Sequence, residues 1–199
     1  VDDVARTAVT DVCGIVLAGG RSTRMGVDKA TLPWGESTML ETVVAMLRVV
    51  LPHVIVVAAP GQQLPAVAAG IVRDPVPDQG PLRGLATGLA AARAAGFEWA
   101  FAAATDTPLL TAAAIRQLLA ERADVDAVIG TAEGRDEPLV ALYRARLASP
   151  AADLLAAGQR RLQDLIAGRT VRRVALADSV AAFNVNTAAD ADRARGLSN

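Results

Sequence analysis

Two patterns of apolar positions alternate along this chain. Residues 13–17, 54–58 and 99–104 are almost wholly apolar runs of strand length, and residues 71–73 form a shorter one. Such runs are expected of strands in a parallel sheet that is covered on both faces. Between them the apolar positions recur at helical spacing. Leu40, Val43, Val44, Leu47 and Val50 follow Thr38, which with Glu41 makes a T-x-x-E capping box, and Pro52 ends the helix. A proline-rich loop at 74–81 leads to a helix whose buried stripe is Leu82, Leu85 and Leu89. Ile115, Leu118 and Leu119 mark the inner face of a helix over 111–122. Further on, 125–131 and 139–143 read as strands, 146–158 and 161–167 as helices, and 171–176 and 180–185 as strands. Thr187 caps a last helix, with Asp190 placed to complete its box. This alternation predicts an α/β fold: a single three-layer domain with a mostly parallel twisted sheet, helices on both faces and right-handed crossovers. No repeat, low-complexity tract or linker divides it, so residues 1–11 are expected to be a flexible lead-in and 12–199 one domain.

The chain's 199 residues suffice for one sizeable core. With 20 Lys and Arg against 21 Asp and Glu, the net charge is −1, which argues against broad binding to nucleic acid or a membrane surface. Any anion recognition must be local. Cys13 is the only cysteine; its place in the first strand predicts a small buried hydrophobe without a disulfide. No apolar run is long enough for a membrane span and the start Val1-Asp2-Asp3 is not signal-like, so a cytoplasmic protein is expected. His53, the only histidine, follows Pro52 far from the motifs below, and no nucleophile–histidine pair of the kind hydrolases use is evident.

The longest chemical motif follows the first strand: Leu17-Ala18-Gly19-Gly20-Arg21-Ser22-Thr23-Arg24-Met25-Gly26-Val27-Asp28-Lys29. Glycines let backbone N–H groups approach a ligand closely, and a concave run of them binds anions. Arg24 and Lys29 add full positive charges, so the stretch reads as a polyphosphate pocket. It contains neither the P-loop pattern nor the dinucleotide G-x-G-x-x-G. It does resemble the signature L-A-G-G-x-S-x-R-M-G-x-D-K of the nucleotidyltransferases that build molybdenum cofactors, and is most similar to the molybdenum cofactor guanylyltransferase (MobA-like) family. Gly20 carries the choice of base, because cytidylyl relatives tend to have L-A-A-G.

This resemblance implies a Rossmann-like nucleotidyltransferase fold and transfer of GMP from GTP to the terminal phosphate of molybdenum-bound molybdopterin, with Mg²⁺. It makes Leu17, Ala18, Gly19, Gly20 and Lys29 nucleotide-binding, and Arg24, Lys29 and Asp106 catalytic. Asp106 stands just past the strand at 99–104, in Thr105-Asp106-Thr107-Pro108. A carboxylate there suits Mg²⁺ shared with substrate phosphates, and equally a turn that bonds its own backbone; the family's matching Asp of D-x-P holds magnesium and nucleotide. Asp74 is either an acceptor for the N–H edge of guanine, as the family implies, or a turn cap. Pro81-Leu82-x-Gly84 resembles the family's P-L-x-G, where Gly84 lets a helix start lie near the base. Asn184-Val185-Asn186-Thr187 resembles N-V-N-T and makes Asn184 and Asn186 substrate-binding. Gly158-Gln159-Arg160-Arg161 resembles G-x-R-R, so Arg160 and Arg161 either meet an anionic pterin phosphate or begin a solvated helix. One departure stands out: the family's asparagine after the second strand is replaced by Ala58-Ala59-Pro60.

Ligands of open α/β sheets bind beyond the carboxyl ends of the strands, so the glycine loop, Asp74, Asp106 and residues 184–186 are expected to converge. The implied partners are GTP and molybdopterin, and beyond them apo-molybdoenzymes or accessory cofactor-delivery proteins; no nucleic acid and no membrane is expected. Two other readings stay open. One keeps the chemistry with CTP or a sugar 1-phosphate; the other is a nucleotide-binding regulator without turnover, against which the intact Lys29 and Asp106 argue.

Overall fold

A computed structural model gives the fold of residues 9–19, 28–76 and 79–197. In chain order it contains β1 (Val12–Leu17), a short hairpin of β2 (Pro33–Trp34) and β3 (Ser37–Thr38), α1 (Met39–Arg48), β4 (Val54–Ala58), β5 (Gly70–Arg73), α2 (Pro81–Ala94), β6 (Trp99–Ala104) and α3 (Ala112–Ala120). Then follow β7 (Ala127–Ala132), β8 (Arg135–Arg144), α4 (Ala148–Ala156), α5 (Leu162–Ile166), β9 (Val171–Ala175) and α6 (Ala188–Leu197).

β1 is buried along its whole length, and this explains its unbroken apolar sequence. Successive side chains of a strand point to opposite faces. Val12 and Val16 pack on one side with Leu40 and Leu47 of α1 and Ile115 and Leu118 of α3. Cys13, Ile15 and Leu17 pack on the other with Leu85 and Leu89 of α2, Leu155 of α4 and Leu165 of α5. The expected three layers are therefore present. The seven-stranded sheet has the order β5-β4-β1-β6-β8-β7-β9. Its pairs are parallel except where β8 runs against both β6 and β7, so it is mostly parallel, as the sequence predicts. Burial pushes the Cys13 thiol up to about 12, which keeps it protonated and inert.

The capping box of α1 forms as read: Thr38 N–H donates to Glu41 Oε2 at 2.7 Å and Glu41 N–H to Thr38 Oγ1 at 3.3 Å. Three features differ from expectation. Residues 180–185 are not a strand. Asp178 accepts the Val180 N–H at 2.9 Å and starts a 3₁₀ turn over Ser179–Ala182, after which Val185 donates its N–H to the Asp106 carbonyl at 2.8 Å. β8 begins at Arg135, well before the apolar run at 139; its first residues are polar and exposed or half-buried, so no apolar pattern marks them. The hairpin at 33–38 was not foreseen, since two-residue strands show no period. The lead-in is tied at its last residue: the Asp11 carbonyl accepts from Glu98 and Trp99 N–H, and its carboxylate pairs with Arg122 at 2.8 Å. Residues 1–8 lie outside the described residues.

Two glycines one turn apart set how closely α2 approaches β1. A Cβ on Gly84 would sit 3.3 Å from Leu17 Cδ2, and one on Gly88 only 2.6 Å from Ile15 Cγ2 and 3.1 Å from Val57 Cγ2. The approach brings the start of α2 over the carboxyl end of β1. We expect Gly88→Ala to destabilise the fold by about 1–3 kcal/mol through overpacking, and Gly88→Val to do so more severely; chemical denaturation measures both.

Candidate active site

Lys29, Asp106 and Asn186 come from three distant parts of the chain and meet at the carboxyl edge of the sheet. Lys29 Nζ donates to Asp106 Oδ2 at 2.9 Å and to Asn186 Oδ1 at 2.9 Å. Their side chains are held by local structure. Lys29 opens a 3₁₀ turn over Lys29–Thr31 that Asp28 caps, its carboxylate accepting the Ala30 N–H at 2.9 Å. Asp106 stands between two buried threonines. The Thr105 hydroxyl donates to the Leu17 carbonyl at 3.1 Å and the Thr107 hydroxyl to the Ala104 carbonyl at 2.8 Å, so both are satisfied and the loop between them is pinned. Asn186 leads into the cap of α6, where Asp190 accepts the N–H groups of Asn186 and Thr187 at 3.0 and 2.9 Å. Hydrogen bonding to Thr187 and Asn186 holds the Asp190 carboxyl below the usual carboxylate range.

The glycine motif enters this centre from both ends. The Leu17 carbonyl accepts the Thr105 N–H at 3.2 Å, and the Ala18 and Gly19 N–H groups go to the Val57 carbonyl at 2.9 and 3.3 Å. A Cβ on Gly19 would lie 3.3 Å from the Ala59 nitrogen, a crowded approach that only glycine makes easily. Gly20 and Arg24 lie outside the described residues.

Sequence reasoning missed Gln62. Its side-chain amide donates to the Ala18 carbonyl at 2.9 Å and to both Asp28 oxygens at 3.1 and 2.8 Å, while its oxygen accepts the Ala59 N–H at 2.9 Å. One side chain thus ties the outgoing end of the glycine motif to its returning end and to the end of β4. Arg73 backs it by donating to the carbonyls of Ala59 and Gln62, each at 3.0 Å. Gln62 sits in irregular chain just beyond Ala58-Ala59-Pro60, the place where the family's asparagine is missing. That departure was the one signal in the sequence.

Asp74 does not join the Lys29 centre. It follows β5, and three inter-strand spacings separate β5 from β6, about 14 Å. Its carboxylate accepts the Val76 N–H at 3.2 Å, a turn of its own. Gly84 packs against Leu17, so its small size is already required by the helix–strand contact.

The remaining candidates line a second cleft of about 410 Å³, formed by the start of α2, the β8 segment at 137–139, the start of α5 and Asn184. Gly80, with φ at 76°, approaches the Arg160 carbonyl so closely that a Cβ would be 3.2 Å away. Arg160 has a structural task, donating to the carbonyls of Leu155 and Gln159 at 3.0 and 2.8 Å where α4 ends. Arg161 is exposed, and its guanidinium makes no hydrogen bond among the described residues. Asn184 and Asn186 flank the buried Val185, so one short segment serves both the cleft and the Lys29 centre.

Among the described residues, no group of three or more His, Cys, Asp and Glu side chains gathers to hold a metal by itself. Among the described residues, Asp106 is the one carboxylate that the Lys29 ammonium pairs with. None of the described helices is long and apolar enough to cross a membrane.

The sheet, the crowded glycine turn and the lysine–carboxylate pair thus meet at one carboxyl edge. The chain belongs to the MobA-like NTP transferase domain family, which matches residues 14–194. It is 44% identical over 182 residues to the probable molybdenum cofactor guanylyltransferase of Mycobacterium avium, covering 90% of this chain and 92% of that one. Identity to the probable molybdenum cofactor guanylyltransferase of Mycobacterium tuberculosis is 42% over 181 residues, with coverages of 89% and 90%. In fold it matches the molybdopterin-guanine dinucleotide biosynthesis protein A of Archaeoglobus fulgidus with a TM-score of 0.74 at 22% identity, over 94% of this chain and 98% of that one. The 2-C-methyl-D-erythritol 4-phosphate cytidylyltransferase of Thermus thermophilus shares the fold at a TM-score of 0.71 and 20% identity, with coverages of 94% and 98%.

We expect Gln62→Ala to cost about 1–3 kcal/mol, because it strips partners from the Ala59 N–H and the Asp28 carboxylate. Amide exchange at Ala30 and Ala59 should speed up while that of β6 stays unchanged.

Proposed function

We propose that this chain transfers GMP from GTP to the terminal phosphate of molybdopterin, forming molybdopterin guanine dinucleotide and releasing pyrophosphate. The observation that carries this reading is the Lys29 ammonium shared by Asp106 and Asn186, in a chain with 44% identity to a probable guanylyltransferase.

The chemistry joins two anions, so the obstacle is charge. The attacking phosphomonoester is largely ionised at pH 7, with a second pKa near about 6, and needs no strong base. The described part of the site accordingly offers the Lys29 ammonium where a hydrolase would offer a histidine. His53 packs against Phe97 with ring centroids 5.2 Å apart, where the chain enters β4 at the opposite edge of the sheet. In this reading Leu17, Ala18 and Gly19, whose backbone groups are taken up by Thr105, Val57 and Gln62, anchor the start of the nucleotide-binding motif. Gly20 belongs to the part that meets the triphosphate, and Arg24 and Lys29 neutralise charge that builds on it during in-line attack. Asn186 steers the Lys29 ammonium. Asp74, at the far end of the same edge, accepts the N–H donors of guanine, while Arg160, Arg161 and Asn184 hold the acceptor.

Asp106 suits Mg²⁺. A single partly exposed carboxylate is what that ion needs when substrate phosphates fill the rest of its shell. When bound, the ion supplies charge neutralisation and a template for the phosphates. Cytoplasmic residence is part of this proposal, since GTP is at hand there.

Pyrophosphate release with Mg²⁺, molybdopterin and each nucleoside triphosphate in turn tests the reading. Release with GTP alone among them supports it. Release with CTP instead makes the chain a cytidylyltransferase, and no release with any makes it a binder. Lys29→Ala and Asp106→Ala should each lower turnover by about 10²–10³ while circular dichroism stays native. Full turnover in either variant removes that residue from the mechanism.

A further inference from the structure

β8 runs against its neighbours, so its first residues arrive at the edge where β1, β4 and β6 end. Val140 pairs with Ala103 of β6, and Leu139, Pro138 and Glu137 precede it at the edge from which Asp106 also emerges. On the other side, β8 pairs Ala141 with Ile129 and then Glu137 with Gly130, which leaves Pro138, Leu139 and Val140 bulging. The bulge is fixed in place. The fully buried Tyr143 hydroxyl donates to the Pro138 carbonyl at 2.8 Å, and a Cβ on Gly130 would lie 2.8 Å from the Val140 carbonyl oxygen. Bulges beside active sites redirect side chains. This one turns Glu137 into the cleft that holds Arg160, Arg161 and Asn184.

Glu137 differs from the other carboxylates nearby. Asp136 is paired with Arg173 at 2.9–3.1 Å and Glu133 with Arg135 at 3.2 Å. The Glu137 carboxylate makes no hydrogen bond or ion pair among the described residues, although the residue is partly buried, and burial raises its carboxyl above the usual range. An unpartnered carboxylate withdrawn from water is costly unless a ligand supplies donors. The cleft around it combines apolar walls from Pro81, Pro138, Leu139 and Leu162 with the cation of Arg161. That composition suits a flat ring with an N–H edge and a phosphate.

We propose that Glu137 accepts the N–H donors of the pterin's 2-amino-4-oxopyrimidine edge and so selects the acceptor substrate. The proposal rests on the transfer reading above and adds to it the residue that recognises the second ring. Guanine carries the same donor edge, but β5, with Asp74 at its end, lies four inter-strand spacings from β8, about 19 Å. A product with such a ring at each end of a pyrophosphate then meets one carboxylate at each end, with Lys29 and Asp106 between.

The test uses the whole chain with Glu137→Gln, which keeps size and removes the charge, and Glu137→Ala. At saturating GTP, Glu137→Gln should raise KM for molybdopterin about 10- to 100-fold and leave KM for GTP unchanged. An unchanged acceptor KM overturns the proposal, as does a rise confined to GTP, which assigns Glu137 to guanine. A second measurement is independent of turnover: quenching of pterin-6-carboxylate fluorescence should be seen with the wild-type chain and weaken in both variants at unchanged melting temperature. If the wild-type chain binds the pterin but releases no pyrophosphate, and Glu137→Gln loses that binding, this proposal stands and the transfer reading falls. Turnover with equal pterin binding in all three proteins does the reverse.

Discussion

The Lys29 ammonium lies between an anion and an amide oxygen that the chain supplies from 77 and 157 residues away. Lysine has three N–H donors; two are committed here, and the third makes no hydrogen bond among the described residues. The pair with Asp106 is not what holds the segments together. Both side chains are largely withdrawn from water, 19% and 23% exposed, and for a pair so placed the cost of desolvation offsets much of the Coulomb attraction. The segments are fixed by backbone: Val185 on the Asp106 carbonyl, Thr105 on that of Leu17, and Gln62 on that of Ala18. The scaffold therefore presents a charge pair already in position, and a reaction that must bring anions together loses no energy to reorganising it.

Rigidity at this edge comes from the layers beneath. β1 is clamped between β4 and β6, and α2 is pressed onto it through Gly84 and Gly88. Interiors packed to crystal-like density transmit displacement, so a shift of Ile15 under α2 would reach Leu17 and, through its carbonyl, Thr105. The described ends of the glycine stretch are held by a side chain. They are tied at Ala18 and Asp28 by one glutamine, which makes Gln62 the counterpart, for the motif's two ends, of what the threonines are for Asp106.

The parts legible in the sequence were those where one physical signal dominates. β1, β4 and β6 announce themselves because burial on both faces leaves no room for polar residues. α1 is announced by Thr38 and Glu41, whose reciprocal bonds need only local chain. Lys29 and Asp106 were found through the length of the motif and the place of a carboxylate after a buried strand. What was hidden depends on tertiary context. β8 starts in Arg135, Asp136 and Glu137, polar because they face a cleft and an ion pair instead of a core. Residues 180–185 carry the apolar pattern of a strand, but Asp178 captures the Val180 N–H and turns the chain, so their burial comes from the packing of Ala181, Ala182 and Val185. Gln62 has no periodic neighbours at all, and its meaning exists only once Ala18 and Asp28 are beside it.

The reversed strand explains how one sheet edge carries both the Lys29 centre and a separate cleft. A wholly parallel sheet sends only strand ends and the loops after them to its carboxyl edge. Inserting β8 the other way brings the beginning of a strand to the same edge, joined to β7 by a tight turn in which Glu133 and Gly134 both take positive φ, 52° and 76°. A strand that begins at the edge carries side chains at fixed alternation, and the bulge adjusts that alternation locally without disturbing the Val140–Ala103 pairing on the other side. The half of the sheet from β5 to β6 can therefore be organised around the glycine motif, while β8 and the starts of α2 and α5 shape a separate cleft. Residues 184–186 run along the boundary, with Val185 inward and an asparagine toward each side, so one short segment joins the Lys29 centre to the cleft.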